Sequence, residues 1–474
     1  MSQESEVVKS PKSKYSAKTI DMSLFTGSEK YIYKDNCNYN EIYSIDNFYD
    51  RGLEACKNVR WKRSTTEFEV DMLCIIDKVL TQIFANTYRA QPFNNFIINE
   101  RGKTRQISAQ KITDRMVQKV VNQDVMLAIY QENFVDGNSA SMKGKGKQYA
   151  IDTLIEQLKA HYAIYGTQGG ILLGDYSNYF GSLPHEELKR RIRERITDQK
   201  TVKILCDAIT DFRKIAPCHK VEGWGYAGIG LGSEVSQTFA LDYGSPLDHY
   251  IEDNFKITGY GRYMDDFYII CDSLETLQKI KEIIISLVEE TGTSLSEKKT
   301  QIVPLKAHSF CYLKMDFLFS ENGALIITPT HRNAVVIRRR LNKFYDMLQQ
   351  GFLTIEDICA SYNGWRANIA TSKHHYRTLY NADLYFTIMF RKFLATRNKP
   401  FKCYIKAQWN KGIKQWEYIT KDLEGSKSYS KQIKKHVKEK EEKWVKIKES
   451  KDFKMWKKPS NGRFKKIYNN KDAK

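Results

Sequence analysis

Nowhere in the 474 residues does an apolar run approach the ~20 residues that a membrane-spanning helix needs. The first residues, MSQESEVVKSPKSKYS, are polar and lack an apolar signal core, so the expectation is a cytoplasmic protein without a membrane partner. The nine cysteines (Cys37, Cys56, Cys74, Cys206, Cys218, Cys271, Cys311, Cys359 and Cys403) include no C-x-x-C pair. Such scatter argues against a disulfide framework or a zinc cage and reads as small buried hydrophobes. No internal repeat is evident. What is present is ample core material: 41% of residues are hydrophobic and 12% aromatic, which argues against a wholly disordered chain. The length suggests more than one structural unit. An acidic excess is also missing. Lys and Arg number 76 against 56 Asp and Glu, a net charge of +20, which points to a polyanion, nucleic acid before anionic membrane.

The charge is concentrated. Residues 396–474 hold 25 Lys and Arg and 9 Asp and Glu, a net +16 that leaves +4 for the rest of the chain. Trp409, Trp416, Trp444 and Trp456, four of the seven tryptophans, lie in the same segment. Aromatic rings between basic residues suit base stacking and phosphate pairing. Within it, 431–448 has a patchy apolar face on Ile433, Val437, Trp444 and Val445 and reads as a marginal helix.

Upstream, residues 1–30 are polar and read as loose. Met72, Ile75, Ile76 and Leu80 give a helical pattern through 66–90. Ile151, Leu154, Ile155 and Leu158 line one face of a helix over 149–165. Gly169 and Gly170 then break the chain before a short strand, Ile171 to Leu173. Ser273 caps a helix over 274–290, with Leu277, Ile280, Ile284 and Leu287 on one side and Gly292 after its end. Strands at 267–271 and 300–305 flank it. This strand–helix–strand unit places the middle of the chain in the α/β or α+β class.

Two carboxylate sites stand out. In GRYMDDFYII, Asp265 and Asp266 are adjacent, and adjacent carboxylates repel unless a counter-charge is supplied. Asp175 follows the apolar strand of GILLGDYSNYF directly. Carboxylates at strand ends can meet across neighbouring strands, and Mg²⁺ takes such oxygen ligands together with substrate phosphates. Two ions about 3.5–4 Å apart clamp the attacking and leaving oxygens of a phosphoryl transfer.

These residues resemble a family. Asp175 followed by Phe180 and Ser182-Leu183-Pro184-His185 resembles the first palm motif of reverse transcriptases, and Tyr263-Met264-Asp265-Asp266 resembles their Tyr-x-Asp-Asp turn. Gly232-Ser233-x-x-Ser236-Gln237 is similar to the second palm motif, Lys298-Lys299-Thr300 to the lysine motif, and Phe310-Cys311-Tyr312-Leu313 to the primer-grip hairpin. Residues 103–121 and 138–151 resemble the fingers blocks of bacterial reverse transcriptases. The matches are collinear from about 100 to 320, and a thumb-like helical segment over 334–395 extends them. One departure is Leu231, which stands where many relatives have Gln. The pattern Leu231-Gly232-x-x-x-Ser236-Gln237 is closer to diversity-generating retroelements and to phage-defence enzymes than to retrons and group II introns.

The resemblance implies an α+β right hand with an antiparallel palm sheet and a basic C-terminal extension. Its divisions would be an N-terminal extension over 1–65, fingers with part of the palm over 66–165, palm over 166–325, a helical thumb over 326–395 and a basic, tryptophan-containing RNA-binding region over 396–474. It implies Asp175, Asp265 and Asp266 as ligands of two Mg²⁺ ions, with Mn²⁺ as a substitute, and the Tyr176 carbonyl beside them. Lys299, or its neighbour Lys298, would serve the leaving pyrophosphate. Lys103 and Arg105 would hold the dNTP triphosphate, and Phe180 would be the steric gate against a 2′-hydroxyl. Gly232, Ser236 and Gln237 would lie along the nucleotide. The expected partners are an RNA template or non-coding RNA, a DNA product and dNTPs. Two rivals remain: an RNA-dependent RNA polymerase, against which Phe180 and the turn argue, and a silent RNA-binding or maturase-like protein, against which the complete aspartate set argues.

Overall fold

The computed structural model describes residues 33–100, 103–215, 218–370, 376–395, 405–410 and 415–420. The chain forms two compact units that divide in sequence between Thr330 and His331.

The first unit is built around a four-stranded antiparallel sheet. Its strands are β3 (Gly170–Asp175), β4 (Gly259–Tyr263), β5 (Asp266–Cys271) and β6 (Gln301–Pro304), in the order β4-β5-β3-β6. Alternation along the strands divides their side chains between two cores. Leu172, Phe267, Ile269 and Cys271 join Leu277, Ile280, Ile284 and Leu287 of helix α8 (Leu274–Glu290). Ile171, Leu173, Tyr268 and Ile270 join Ile151, Leu154, Ile155 and Leu158 of helix α4 (Lys147–Tyr165). The second core also takes Phe310, Met315, Phe317 and Ile327 from a smaller antiparallel sheet of β7 (Phe310–Tyr312), β8 (Met315–Phe319) and β9 (Leu325–Pro329). Helices therefore cover both faces of the central sheet, which explains why β3 is buried at every position. Ser273 caps α8 as its sequence indicates, its hydroxyl accepting from the Thr276 N–H.

Ahead of the sheet lie α1 (Ile45–Cys56), α2 (Met72–Phe84), the antiparallel hairpin β1 (Asn94–Glu100) and β2 (Lys103–Ala109), and α3 (Ile112–Lys119). The helical pattern expected through 66–90 is two helices, Arg63–Val70 and α2, jointed at Asp71. The joint lets Phe68 and Met72 both face the core. Asn86, in the left-handed region at φ 56°, follows the end of α2.

Between β3 and β4 come α5 (His185–Arg195), α6 (Gln199–Asp211) and α7 (Glu234–Asn254). Helix α7 runs unbroken through Pro246. A proline there leaves the Asp242 carbonyl without its helical donor, and the Arg191 guanidinium supplies one at 3.1 Å.

Among the described residues the second unit has helices α9 (His331–Gln349), α10 (Ile355–Ala370) and α11 (Tyr376–Ala395), then a hairpin of β10 (Ile405–Asn410) and β11 (Gln415–Thr420). Ile337, Leu341, Ile358, Tyr362, Phe386 and Phe390 form its core, with the Tyr362 and Phe386 rings stacked at 4.2 Å. Trp409 and Trp416 occupy opposite positions in the hairpin register. The expected helix over 431–448, and the loose segment 1–30, lie outside the described residues. Among the described residues no helix is long and apolar enough to cross a membrane.

Candidate active site

Strand register decides which carboxylates meet. In the β3–β5 ladder Asp175 stands directly opposite Asp266, and in the β4–β5 hairpin Tyr263 pairs with Asp266. Only Met264 and Asp265 remain to turn the chain. Two-residue hairpins favour turns with positive φ, and Met264 adopts φ 58°, an uncommon conformation for a side-chain-bearing residue. Gly174, one residue before Asp175, lies under the Phe267 ring; a Cβ there would sit 2.1 Å from it.

Backbone bonds lock the arrangement. The Tyr176 N–H donates to the Asp265 carbonyl at 3.0 Å, and the Ser296 N–H donates to the Asp175 carbonyl at 2.8 Å. The Ser177 N–H donates to the Ser294 carbonyl at 2.8 Å. Asp175 is thus held between the turn and the loop that follows α8. From the same loop Lys299 reaches back, its Nζ 2.6 Å from each Asp175 carboxylate oxygen.

The electrostatics follow from crowding. Burial, a hydrogen bond with Asp175 and the charges of Asp265 and Asp175 push the Asp266 carboxyl up to about 7, against the relief that Lys299 gives. For Lys299, partial burial works against the charge, but the bond and charge of Asp175 outweigh it and raise its proton affinity. With Asp265 beside the facing pair, three carboxylates carry one negative charge more than a proton and the Lys299 ammonium neutralise. That donor chemistry fits a hard divalent cation, which needs only one or two protein carboxylates when substrate phosphates and water complete its shell. Among the described residues no three His, Cys, Asp or Glu side chains form a ready-made metal cage.

The other sequence-selected residues spread out from this centre. Tyr176 is buried, its ring 4.5 Å from that of Tyr179. Phe180 is half-buried on the single helical turn Tyr179–Ser182, and its carbonyl accepts from the Ile229 N–H at 2.8 Å. That bond ties it to the segment leading into α7. There Gly232 takes φ 109°, and a Cβ on it would lie 3.2 Å from Ile107 of β2. The Leu231 carbonyl accepts from the Ser108 N–H at 3.1 Å, so the backbone of this position anchors the β1–β2 hairpin. Arg105 is exposed on β2 opposite Ile98, and Lys103 opens β2 opposite Glu100. Gln237 is exposed and accepts from Ser141 at 2.8 Å. Ser236 is different: fully buried, with a hydroxyl that finds no protein partner, it is enclosed rather than presented at an open edge. Lys298 is exposed beside Lys299, and it is Lys299 that the structure brings to Asp175.

Sequence reasoning passed over Arg262 and Asp248. Both side chains are 0% exposed and form an ion pair at 2.6 Å. The signal was in view, because an arginine inside an otherwise apolar strand and one residue from the turn needs a buried partner.

Residues 94–317 match the family model described as reverse transcriptase (RNA-dependent DNA polymerase). No curated protein matches the chain. Among solved structures it is similar to the telomerase of Candida albicans in complex with the TWJ fragment of telomeric RNA, at 11% identity and a TM-score of 0.38 over 67% of this chain and 62% of that one. It is also similar to the apo telomerase of Candida tropicalis truncated from its C-terminal domain, at 13% identity and a TM-score of 0.37 over 54% of this chain and 60% of that one. The chain thus spans about six-tenths of the length of these two structures. The two-residue turn, the aspartate facing it and the lysine closing on that aspartate all fall inside 94–317, the stretch that matches the reverse transcriptase (RNA-dependent DNA polymerase) family model.

Proposed function

We propose that the protein copies RNA into DNA by nucleotidyl transfer at the Asp175–Asp265–Asp266 site. The observation that carries this reading is the strand register that sets Asp175 against Asp266 beside a two-residue turn, with Lys299 drawn onto the pair. Bound there, two divalent ions, Mg²⁺ first and Mn²⁺ as substitute, would polarise the primer 3′-hydroxyl and neutralise the departing pyrophosphate. Asp175 and Asp265 would hold them, with Asp266 in support. Lys299 keeps a positive charge where the pyrophosphate leaves. Arg105 and Lys103 hold the triphosphate, and Phe180 lies beneath the sugar. Gly232 and Gln237 border the nucleotide, with Ser236 packed behind them.

In this reading residues 66–165 act as fingers, 166–325 as palm, 326–395 as thumb and 396–474 as a basic region that holds RNA. The net +16 of that last segment supports an RNA partner. The pattern from Leu231 to Gln237 supports a bacterial enzyme working with a dedicated non-coding RNA in phage defence, or otherwise in a diversity-generating retroelement. Sequencing the nucleic acid that co-purifies with the protein separates those programmes.

Primer extension on an RNA template, run with dNTPs and in parallel with rNTPs, tests the activity. Asp265→Asn is expected to lower dNTP incorporation by about a thousandfold while leaving the fold and RNA binding intact. Near wild-type incorporation by a folded Asp265→Asn variant would overturn the assignment.

A further inference from the structure

The turn that carries Asp265 is suspended from a buried arginine. The Arg262 guanidinium grips Asp248 with two parallel bonds, Nε to Oδ1 at 2.7 Å and Nη2 to Oδ2 at 2.6 Å. Three further N–H donors remain, and two of them bond backbone carbonyls. Nη2 also reaches the Leu241 carbonyl at 2.9 Å, and Nη1 reaches the Met264 carbonyl at 3.2 Å. Asp248 receives one more bond, from the Tyr260 hydroxyl. Leu241 and Asp248 belong to α7, Arg262 to β4, and the Met264 carbonyl to the peptide that precedes Asp265. One side chain therefore connects the long helix to the centre of the turn.

Space for it is built in. Gly244 of α7 faces the guanidinium, and a Cβ there would lie 2.8 Å from Arg262 Cζ, 2.9 Å from Nη1 and 2.9 Å from the Tyr179 hydroxyl. The backbone of Arg262 is held as firmly: its N–H donates to the Gly137 carbonyl and its carbonyl accepts from the Ser139 N–H, each at 3.0 Å. Met264 meanwhile stands at φ 58°. Such a conformation persists only where the surroundings over-determine it, and the bond from Arg262 acts on that same residue. A buried ion pair by itself gives little reason to be retained over apolar residues. The arm extended to the turn supplies one.

We propose that Arg262, braced by Asp248, is a positioning residue that fixes the Met264–Asp265 peptide and so the aim of the Asp265 carboxylate. This rests on the reading of Asp265 as a ligand of the transferring site. Arg262→Lys keeps a buried cation beside Asp248 but lacks the fork needed to reach the turn at the same time. Gly244→Ala keeps both charges and pushes the guanidinium aside.

In the full-length protein with primer–template bound, both variants are expected to melt near the wild type. Each should lower kcat by about 10–100-fold with little change in KM for dNTP. Titration with Mn²⁺, followed as binding and not as activity, should show affinity reduced about tenfold. Wild-type kcat and Mn²⁺ affinity in a folded Gly244→Ala or Arg262→Lys overturn the proposal. Should Arg262→Lys fail to fold, Gly244→Ala decides; if neither folds, the pair is only a stability element and the proposal falls. Asp265→Asn, assayed alongside, separates the two claims. An active Asp265→Asn defeats the reading of the site, whereas an inactive one beside a wild-type-like Arg262→Lys defeats only the positioning role.

Discussion

Two cations meet two carboxylates beside the same hairpin, and they do so in opposite ways. Arg262 and Asp248 are both fully enclosed, and the guanidinium also bonds two backbone carbonyls, those of Leu241 and Met264. Lys299 is 57% exposed, holds Asp175 alone, and sits on a carboxylate that is 6% exposed. The first pair is closed, with its desolvation offset by a planar fork that can serve several acceptors at once. The second is open on one side, and its cation is a point charge on a flexible stem. The buried charge has a guanidinium and a cage; the charge that the proposed function assigns to the departing pyrophosphate is an ammonium at the solvent edge.

The largest effect should come from breaking the closed pair. Asp248→Asn leaves the Arg262 charge buried without a counter-ion, and unfolding stability is expected to fall by about 3–5 kcal/mol. Urea denaturation measures it. A loss under ~1 kcal/mol, the range of surface pairs, would erase the distinction drawn between the two.

His185 sharpens the comparison by showing what burial does when no counter-charge is provided. It is fully buried; its Nε2 lies 2.8 Å from the Gly228 carbonyl, and its Nδ1 has no partner. Nε2 therefore carries the proton and the ring stays neutral. Burial lowers its pKa from 6.5 to about 4, and the nearby charges of Arg213 and Lys189 push the same way. The unfolded chain accepts a proton near 6.5, whereas the folded one resists it down to about 4. Stability should thus be full above pH 6.5 and fall by about 3 kcal/mol as the pH drops through that window. His185→Gln, which can still donate to Gly228, should flatten this part of the pH–stability curve. Parallel curves for the two proteins would show that His185 does not titrate with folding.

Opening the other pair should cost function and not stability. Lys299→Ala is expected to change unfolding stability by less than ~1 kcal/mol, because the ammonium is largely solvated. Single-turnover nucleotide addition should fall by about a hundredfold, roughly 2.7 kcal/mol of transition-state stabilisation. A stability loss equal to that of Asp248→Asn, with addition unaffected, would reverse the roles assigned to the two cations.

How much of this was legible beforehand follows from the range of the interactions. An apolar strand ending in Asp175, another that follows the Asp265-Asp266 pair, a serine cap at 273 and a helical stripe from Leu277 to Leu287 are local patterns, and the structure has the corresponding elements. That Arg262 needs a buried partner was legible, but that the partner is Asp248 was not, because the two are joined by a helix–strand crossing that no periodicity encodes. Helix α7 was hidden for a related reason. Gly244-Ser245-Pro246 reads as a breaker, and the carbonyl that Pro246 leaves free is satisfied by Arg191, far away in sequence. The joint at Asp71 escaped because Phe68 and Met72 keep a helical spacing on either side of it. Ser236 was selected by motif and turns out to be enclosed, since a motif gives position along the chain and not exposure.

The smallest effect concerns the apolar neighbour of the open site. Phe180 is half-buried, its ring edge-on to Tyr179 at 6.2 Å, and its backbone is fixed by Ile229. The ring can therefore be trimmed without moving the chain that carries it. Phe180→Val removes volume without emptying the site, and the exposed part of the ring limits the packing loss to less than the ~3–5 kcal/mol of deleting a fully buried Phe. Space opened beneath the sugar should admit a 2′-hydroxyl, lowering the ratio of kcat/KM for dNTP over rNTP by about tenfold, or ~1.4 kcal/mol. Because Asp175, Asp265 and Lys299 are untouched, the rate with dNTP should change less than the ratio. If the ratio stays constant in a folded variant, Phe180 belongs with the enclosed residues that only support the site. If it falls while stability holds, the open side of the hairpin sets both the chemistry and the choice of sugar, and the closed side holds them in place.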